Sequence, residues 1–231
     1  MPNEYNFRGD YHKNLNKNWS YYPIYIKKKE LVINYLKSLS PSIKILDAGA
    51  GEGVFVEELK SRGFDAVGLD LNYSSELVQK GSILNMPFAD QSLDVVLCLD
   101  VLEHLSFEDQ ILALKEIRRV LKNQGKTIIS VPNLAHLWSI ITFLFWGQLS
   151  RTANIAKHPG DRPFDEYKKM IEGADFEINK IKSIFPTLPL FFQIIQKKPA
   201  YFLWLHNLLT FILPIKSWSF LNIFFCTKKS R

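Results

Sequence analysis

The sequence predicts an α/β domain in which helices cover both faces of a mostly parallel sheet. Apolar, strand-like segments alternate along the chain with helical patterns. One such strand, in "KILDAGAGEGVFVEEL" at residues 44–59, also runs through a glycine turn directly into a helix. The chain has 231 residues, of which 47% are hydrophobic, and this is enough to bury the core of one such domain with room for an appendage.

The order of the elements follows from local patterns. Residues 24–39 place apolar side chains at helical spacing before a Ser-Pro pair, which predicts a lead-in helix. Strand one is "SIKILDA", a helix covers residues 54–60, and strand two, "FDAVGLDL", ends at Asp70. "EIRRVLK" is expected on a helix that stops near Gly125, and "KTIISV" is expected to be a buried strand. Strands that alternate with helices in this way pair in parallel.

The glycine turn after strand one indicates which end of a ligand it holds. A dinucleotide turn has the spacing G-x-G-x-x-G, whereas Gly49, Gly51 and Gly53 alternate strictly. Asp47 would repel a phosphate but could accept hydrogen bonds from an ammonium group. The turn is therefore expected to hold an amine. Asp70 stands where doubly wound folds bind a ribose, although a lone Asp at a strand end can also be solvated or lie at a helix N-terminus.

Four motifs follow one another along the chain and carry a family resemblance. They are "LDAGAGEG", "VGLDLN", "GSILNMPFADQSLDVVLCLDVLEHL" and "EIRRVLKNQGKTIISVPN". Together they resemble the motifs of class I S-adenosylmethionine-dependent methyltransferases, especially the ubiquinone-biosynthesis O-methyltransferase group, over residues 43–135. The resemblance implies a Rossmann-like, seven-stranded, mostly parallel sheet. It also implies an apolar helical insertion before a last antiparallel strand, in which "NIFFCTKK" lies.

The same resemblance implies S-adenosylmethionine as the cofactor. Asp47 would accept from the methionyl ammonium, the glycines would let the main chain lie against the cofactor, and Asp70 would bind the ribose hydroxyls. Leu71 would border the adenine, while Ser82 and Ile83 would meet its edge and face. Related enzymes commonly have an acid where Ser82 stands, so the adenine amine would meet a weaker acceptor here. The predicted cofactor-binding residues are Asp47, Gly49, Gly51, Gly53, Asp70, Leu71, Ser82 and Ile83.

Composition and the resemblance divide the chain into three predicted parts. Residues 1–42 are a polar segment with the lead-in helix, 43–185 the cofactor-binding core, and 186–231 an apolar, basic helical insertion with the final strand. The net charge of +6 is uneven, because residues 178–231 hold eight basic residues and no acid, whereas residues 1–177 sum to −2. Two cysteines without a C-x-x-C motif, and an N-terminus without an apolar signal-peptide region, predict a cytoplasmic protein.

Two histidines are candidate catalytic bases, since methyl transfer to a hydroxyl needs a base, in-line approach and exclusion of water. His104 follows strand four in "CLDVLEHL", and His158 lies in the polar loop "AKHPGDRPF". Alternatively, His104 is structural and His158 belongs to a surface loop. If "CLDVLEHL" is helical, Asp100, Glu103 and His104 share one face. The resemblance then suggests a divalent cation there, and the residues that would bind it are not assigned.

Segments 134–149 and 188–220 are dense in Phe, Trp, Leu and Ile. They are interpreted either as a lid over a small-molecule pocket or as a surface that lies among the headgroups of an anionic membrane. The second interpretation would place the protein at the inner face of the membrane. Neither segment has the roughly 20 continuous apolar residues of a spanning helix.

The expected activity is O-methylation of a small or lipid-linked acceptor, such as a quinone precursor, a polyprenyl carrier or a surface glycan. A nucleic-acid methyltransferase is the first alternative, and it is disfavoured because the chain has no Pro-Pro or Pro-Cys motif and no polar basic stripe. A relative that binds cofactor without catalysis is the second alternative. Asp47 and Asp70 argue against it, because a scaffold need not retain both.

Overall fold

The computed structural model describes residues 15–40, 42–150 and 155–230. Residues 1–14 of the predicted N-terminal part and Arg231 of the basic tail lie outside the described residues. The helices are α1 (Tyr22–Leu36), α2 (Val54–Ser61), α3 (Phe107–Val120), α4 (Leu137–Trp146), α5 (Phe164–Gly173), α6 (Pro189–Lys197) and α7 (Leu203–Ile212). The strands are β1 (Lys44–Ala48), β2 (Asp65–Asp70), β3 (Val78–Lys80), β4 (Leu93–Leu99), β5 (Leu121–Pro132), β6 (Phe176–Pro186) and β7 (Ser219–Lys228).

The strands form one seven-stranded sheet in the order β3-β2-β1-β4-β5-β7-β6. The pairs from β3 to β5 are parallel, whereas β7 runs antiparallel to both β5 and β6. The predicted mostly parallel seven-stranded sheet is therefore confirmed, and "NIFFCTKK" lies in β7 as expected. The strand order reverses between β1 and β4, and doubly wound folds bind ligands at the carboxyl ends of the strands that flank such a point.

The sheet buries an apolar core on each face. One core packs α3 and α5 on the sheet, with Leu114 and Tyr167 fully buried. The other packs α1, α2, α6 and α7, with Val32 and Leu59 fully buried. The second core buries the apolar faces of α1 and α2, the two helices predicted from their sequence patterns, although α1 begins and ends a few residues earlier than expected. The two layers hold the carboxyl ends of β1 and β4 in fixed positions.

One predicted boundary is wrong. α3 ends at Val120 and not near Gly125, because Leu121 is already extended (φ −71°, ψ 133°) and pairs with Leu93 of β4. The main chain then passes through Gln124, which has a φ of 60°. A residue whose main chain pairs in a sheet cannot continue a helix, so tertiary pairing overrides the helical pattern of "EIRRVLK".

Helices α4, α6 and α7 present large apolar side chains to the surface. Leu144 and Phe145 of α4 are 73% and 75% exposed, and Phe211 of α7 is 82% exposed. Other exposed apolar side chains on these helices are Phe143, Trp146, Leu190, Trp204, Leu208 and Ile212. No helix in the described part of the chain is both long enough and apolar enough to cross a bilayer. We call this set of exposed side chains the apolar surface; patches of this kind mark interaction sites more often than chance.

The lysines of the C-terminal segment do not all lie beside the apolar surface. Lys197 and Lys198, at the end of α6, are exposed. Lys228, in contrast, is buried in β7 and donates through Nζ to the Leu121 carbonyl oxygen at 2.6 Å. The positive charge predicted for one continuous surface is therefore divided among the helices, the sheet edge and the core.

Candidate functional site

The turn after β1 is fixed by its main chain. The N–H groups of Gly49 and Ala50 both donate to the Leu69 carbonyl oxygen of β2, at 2.7 and 3.0 Å. Gly49 has a φ of 94°, and a Cβ atom there would clash with the Val101 side chain, so the position requires glycine. At Gly51, with a φ of 54°, a Cβ atom would meet nothing within 4 Å. Open space therefore lies beside the middle of the turn.

Asp70, at the carboxyl end of β2, holds this turn in place. Its Oδ2 accepts a hydrogen bond from the Gly51 N–H at 2.8 Å. Its Oδ1 accepts from the N–H groups of Asn72 and Tyr73 at 2.8 and 3.2 Å. Each carboxylate oxygen has two acceptor positions, so Oδ2 retains one position for a hydroxyl of a ligand. Asp70 thus has a structural role in addition to the predicted ribose contact.

The turn opens onto a cavity of about 920 Å³. Five predicted site residues line it: Asp47, Gly49, Gly51, His104 and His158. They come from the ends of β1 and β4 and from the loop before α5. The topology thus brings the amine-binding and catalytic candidates to one cavity.

The other predicted cofactor residues lie outside this lining. Gly53 precedes α2, and Asp70 lies behind the turn. Leu71 is 63% exposed and Ile83 is buried in the core at 9% exposure. Ser82 accepts a main-chain N–H within its own turn through Oγ. Their roles toward adenine and ribose stay predictions.

Asp47 brings a buried carboxylate to the cavity at the end of β1. Its side chain is 5% exposed, and no hydrogen bond joins it to another described residue. Burial raises the pKa of Asp47 to about 7; the charge of Lys28 lowers this pKa, and that of Asp70 raises it further. A buried carboxylate without donors is unfavourable. A cationic ligand would supply the hydrogen-bond donor that the described residues do not provide for Asp47.

Asp100 joins α1 to the end of β4, and "CLDVLEHL" is not the helix that would place Asp100, Glu103 and His104 on one face. Asp100 has a φ of 57°, and only Leu102–His104 form a short 3₁₀ helix, because the chain turns at once after β4. The Asp100 carboxylate accepts hydrogen bonds from Lys28 Nζ at 2.5 Å, from the Tyr21 hydroxyl at 2.6 Å and from Ser130 Oγ. These partners from α1 and β5 were not indicated by any sequence motif.

The implied divalent cation does not fit this arrangement. Asp100, Glu103 and His104 do not share a helical face, and nowhere among the described residues does a group of three or more His, Cys, Asp or Glu side chains form a possible metal site. Although burial favours the protonated acid, Lys28 and the hydroxyl donors hold the pKa of Asp100 below its ordinary value. Asp100 is therefore an ionised, internally paired carboxylate.

His104 and His158 lie against each other although they are far apart in the sequence. Their ring centroids are 4.5 Å apart and the rings are perpendicular, at 89°. His104 Nδ1 lies 3.0 Å from the Lys157 carbonyl oxygen. A carbonyl only accepts, so Nδ1 carries the proton and Nε2 is the acceptor nitrogen. Desolvation and His158 lower the pKa of His104, which is therefore neutral at pH 7.

Two further acids adjoin this histidine pair, and neither was predicted to act with it. Asp161 Oδ1 lies 3.5 Å from His158 Nδ1, and the Asp161 side chain is 3% exposed. Glu103 lines the cavity, and its Oε2 has no hydrogen-bond partner among the described residues. Burial, reinforced by Asp100, raises the pKa of Glu103 well above its usual range. Burial thus favours the protonated form of Glu103, and this form can donate a hydrogen bond.

Residues 46–129 match the family model of a methyltransferase domain. An uncharacterized protein of Methanocaldococcus jannaschii is 31% identical over 159 residues, which cover 65% of this chain and 61% of that protein. The ubiquinone biosynthesis O-methyltransferase of Rickettsia bellii is 28% identical over 160 residues, which cover 62% of this chain and 65% of that enzyme. The crystal structure of a SAM-dependent methyltransferase from Archaeoglobus fulgidus aligns with a TM-score of 0.57 at 20% identity, covering 90% of this chain and 100% of that one.

The chain thus spans less than two thirds of the length of each of these two relatives. The matched region includes the glycine turn, Asp70 and the His104 segment, and the solved structure shows the same fold. The resemblance that the four motifs carry is confirmed. Residues 46–129 are thus similar to a methyltransferase domain, and the chain has the fold of a solved S-adenosylmethionine-dependent methyltransferase.

Proposed function

We propose that the protein transfers the methyl group of S-adenosylmethionine to an oxygen atom of a small or lipid-linked acceptor. The observation that carries the proposal is the Asp47 carboxylate. It is buried, accepts no hydrogen bond from any described residue, and lines the same cavity as the glycine turn and His104. An ammonium group satisfies such a carboxylate. The phosphates of a dinucleotide would be repelled by it.

The residues around the turn fit this cofactor. Asp47 would hold the ammonium, and the space beside Gly51 would let the ligand approach the main chain. Asp70 Oδ2 retains one acceptor position for a ribose hydroxyl while it fixes the turn. When bound, S-adenosylmethionine supplies an electrophilic methyl group on a sulfonium sulfur.

The histidine pair supports proton removal from a hydroxyl acceptor. His104 Nε2 accepts the hydroxyl proton, since Nδ1 is engaged with the Lys157 carbonyl. His158 packs against His104, and the nearby Asp161 favours the positive charge that develops on the His104 imidazole. General-base assistance of this kind contributes about 10²–10⁴-fold in rate. In its protonated form, Glu103 would donate a hydrogen bond to the acceptor.

The apolar surface supports a lipid-linked acceptor at a membrane. Phe145, Trp146 and Phe211 are exposed on α4 and α7, which also line the cavity, and Lys197 and Lys198 lie at the end of α6, which lines it as well. Aromatic side chains settle at the bilayer interface, and lysines are attracted to anionic headgroups. A protein bound by this surface would bring its cavity close to the headgroups.

Calorimetry with S-adenosylmethionine and with NADH tests the cofactor assignment. We expect micromolar-class binding of S-adenosylmethionine, and Asp70→Ala should weaken it by about 1.5–3 kcal/mol, the usual contribution of hydrogen bonds to a charged group. Asp65→Ala is the matched control, because Asp65 is exposed at the other end of β2. Preferred binding of NADH would refute the proposal.

Consumption of S-adenosylmethionine in the presence of membrane lipid extract or RNA tests the acceptor class. Methylation should appear in the lipid fraction. Activity on RNA alone would favour the nucleic-acid alternative and contradict the proposed acceptor. Cofactor binding without consumption on any extract would favour the non-catalytic alternative.

A further inference from the structure

The cavity extends beyond the charged residues into a region lined by aromatic and aliphatic side chains, which we call the aromatic arm. The arm consists of Trp138 of α4, Phe185 of β6, Phe192 and Ile195 of α6, His206 of α7, and Phe220 of β7. Its rings are contiguous: centroids lie 6.3 Å apart between Trp138 and Phe192, 5.8 Å between Phe192 and Phe185, and 5.0 Å between Phe185 and His206. At about 920 Å³ the whole cavity is near the upper end of the roughly 300–1,000 Å³ typical of ligand pockets, which leaves room for a second molecule.

His206 is the unusual member of the aromatic arm. The side chain is fully buried, yet neither ring nitrogen has a hydrogen-bond partner among the described residues. Burial lowers the pKa of His206 to about 4, so the ring is neutral at pH 7. The Asn207 side chain opposes this shift in pKa but leaves its own Oδ1 without a partner. A neutral imidazole offers one donor and one acceptor, and a buried polar group without partners costs free energy.

The charged residues of the cavity come from elements other than those of the aromatic arm. They are Lys28, Lys29, Asp47, Glu52, Asp100, Glu103 and Lys157. Among the described residues, α4, α6, α7, β6 and β7 contribute no Asp, Glu, Lys or Arg to the lining. An ionised group placed in the arm would lose its hydration without gaining a partner of opposite charge. The arm is therefore suited to an uncharged group.

We propose that the aromatic arm is the acceptor subsite, and that it binds an uncharged apolar group with one hydroxyl or carbonyl oxygen that His206 contacts. The assignment to the acceptor rests on the proposed function, whereas the binding chemistry of the arm does not. The acceptor would then be a molecule with a neutral apolar body, and neither a glycan nor a phosphate headgroup would occupy the arm.

Binding of 1-naphthol, naphthalene and 1-naphthoate to the full-length protein tests the proposal, because these probes share a ring system and differ in one group. We expect the affinity ratio of naphthol to naphthalene to fall about tenfold in His206→Phe, the loss of one hydrogen bond to a buried group. Leu208→Ala is the matched control, because Leu208 lies on the exposed side of α7, and it should leave the ratio unchanged. Naphthoate should bind weakest. An unchanged ratio, preference for naphthoate, or no binding of naphthol to the parent protein would overturn the proposal.

A measurement on the unsubstituted protein covers the case in which His206→Phe does not fold. In protein labelled with ¹⁵N-histidine, naphthol should shift the ring ¹⁵N signals of His206, and naphthalene should not; no shift with naphthol would overturn the proposal. Calorimetry with S-adenosylmethionine on the same samples separates the two claims. Naphthol binding without cofactor binding would refute the proposed function and leave the arm assigned as a neutral apolar site. Competition between naphthol and S-adenosylhomocysteine would overturn the assignment to the acceptor.

Discussion

Replacing Asp47 by asparagine should stabilise the protein while weakening its binding of cofactor. Burial raises the pKa of Asp47 from 3.8 to about 7. The folded protein therefore holds this proton more tightly than the unfolded chain, so stability is lost as the pH rises from about 4 to about 7. At about 1.4 kcal/mol for each pH unit, ionising Asp47 in the folded protein costs about 4 kcal/mol above pH 7. The gain from Asp47→Asn is smaller than this, because the buried amide also lacks partners.

Urea and thermal unfolding without ligand, at pH 4, 6 and 7.5, measure this gain. The difference between Asp47→Asn and the parent should be near zero at pH 4, grow toward pH 7 and then level off. Each kcal/mol corresponds to about 2–4 °C in the unfolding midpoint for a chain of this size. Asp65→Asn, an exposed change on the neighbouring strand, should shift nothing. If the parent and Asp47→Asn are equally stable at pH 7.5, ionised Asp47 does not destabilise the folded protein.

The same variant tests the role of Asp47 toward the ligand. Only ionised Asp47 accepts from an ammonium group, so the parent should bind S-adenosylmethionine about 20-fold more weakly at pH 5.5 than at pH 7.5, following the ionised fraction for a pKa of about 7. In Asp47→Asn the affinity should be lower at pH 7.5 and independent of pH over this range. Calorimetry measures both. A parent affinity that does not change with pH would contradict the assignment of Asp47.

Three further predictions concern the contacts around the cavity and the apolar surface. Lys28→Met should lower the free energy of unfolding by about 2–3 kcal/mol, measured in urea, because it leaves Asp100 with only hydroxyl donors in a largely buried site. His104→Phe should retain cofactor binding but lose about 10²–10⁴-fold in methyl transfer, and the parent rate should fall as the pH drops below the lowered pKa of His104. Lys197→Glu with Lys198→Glu should release the protein from anionic liposomes, and rising salt should weaken binding of the parent.

The two lysine predictions have matched control variants, and the His104 prediction has an outcome that would contradict it. Lys27→Met lies one position away on α1 and removes only an ion pair that is partly exposed, so it should cost less than 1 kcal/mol; an equal cost for both lysines would contradict the buried pair. If His104→Phe transfers methyl groups at the rate of the parent protein, His104 is not the general base. Lys180→Glu with Lys182→Glu reverses two exposed charges that lie on the edge strand β6 and not on the helices of the apolar surface, and it should leave liposome binding intact. If the protein binds neutral and anionic vesicles equally, the apolar helices are better interpreted as a lid over the pocket.

The elements around the glycine turn could be predicted because their signals are local. The strand before Gly49, the helix from Val54 and the acid at Asp70 are all encoded within about thirty residues, and the structure has them where the pattern places them. The required φ of Gly49 is itself a local property of the turn. Asp47 was identified by its distance from this turn, and only its lack of a hydrogen-bond donor needed the structure.

The contacts of Asp100 could not be predicted, because they join distant parts of the chain. Lys28 and Tyr21 reach it from α1, and their own neighbours in sequence carry no sign of this pairing. The same holds for Lys228, which was counted with a basic surface but donates to the Leu121 carbonyl in the core. The helical spacing of the acids and the histidine in "CLDVLEHL" was misleading, because the chain turns at Asp100 after β4 and only Leu102–His104 form a short helix.

A structure of the protein in complex with S-adenosylhomocysteine tests directly whether Asp47 and the glycine turn bind the cofactor. We expect the ligand ammonium within hydrogen-bond distance of Asp47 and a ribose hydroxyl within hydrogen-bond distance of Asp70. The sulfur should point toward the part of the cavity that His104 lines. An ammonium directed away from Asp47, or a ligand bound outside the cavity beside the glycine turn, would contradict this assignment.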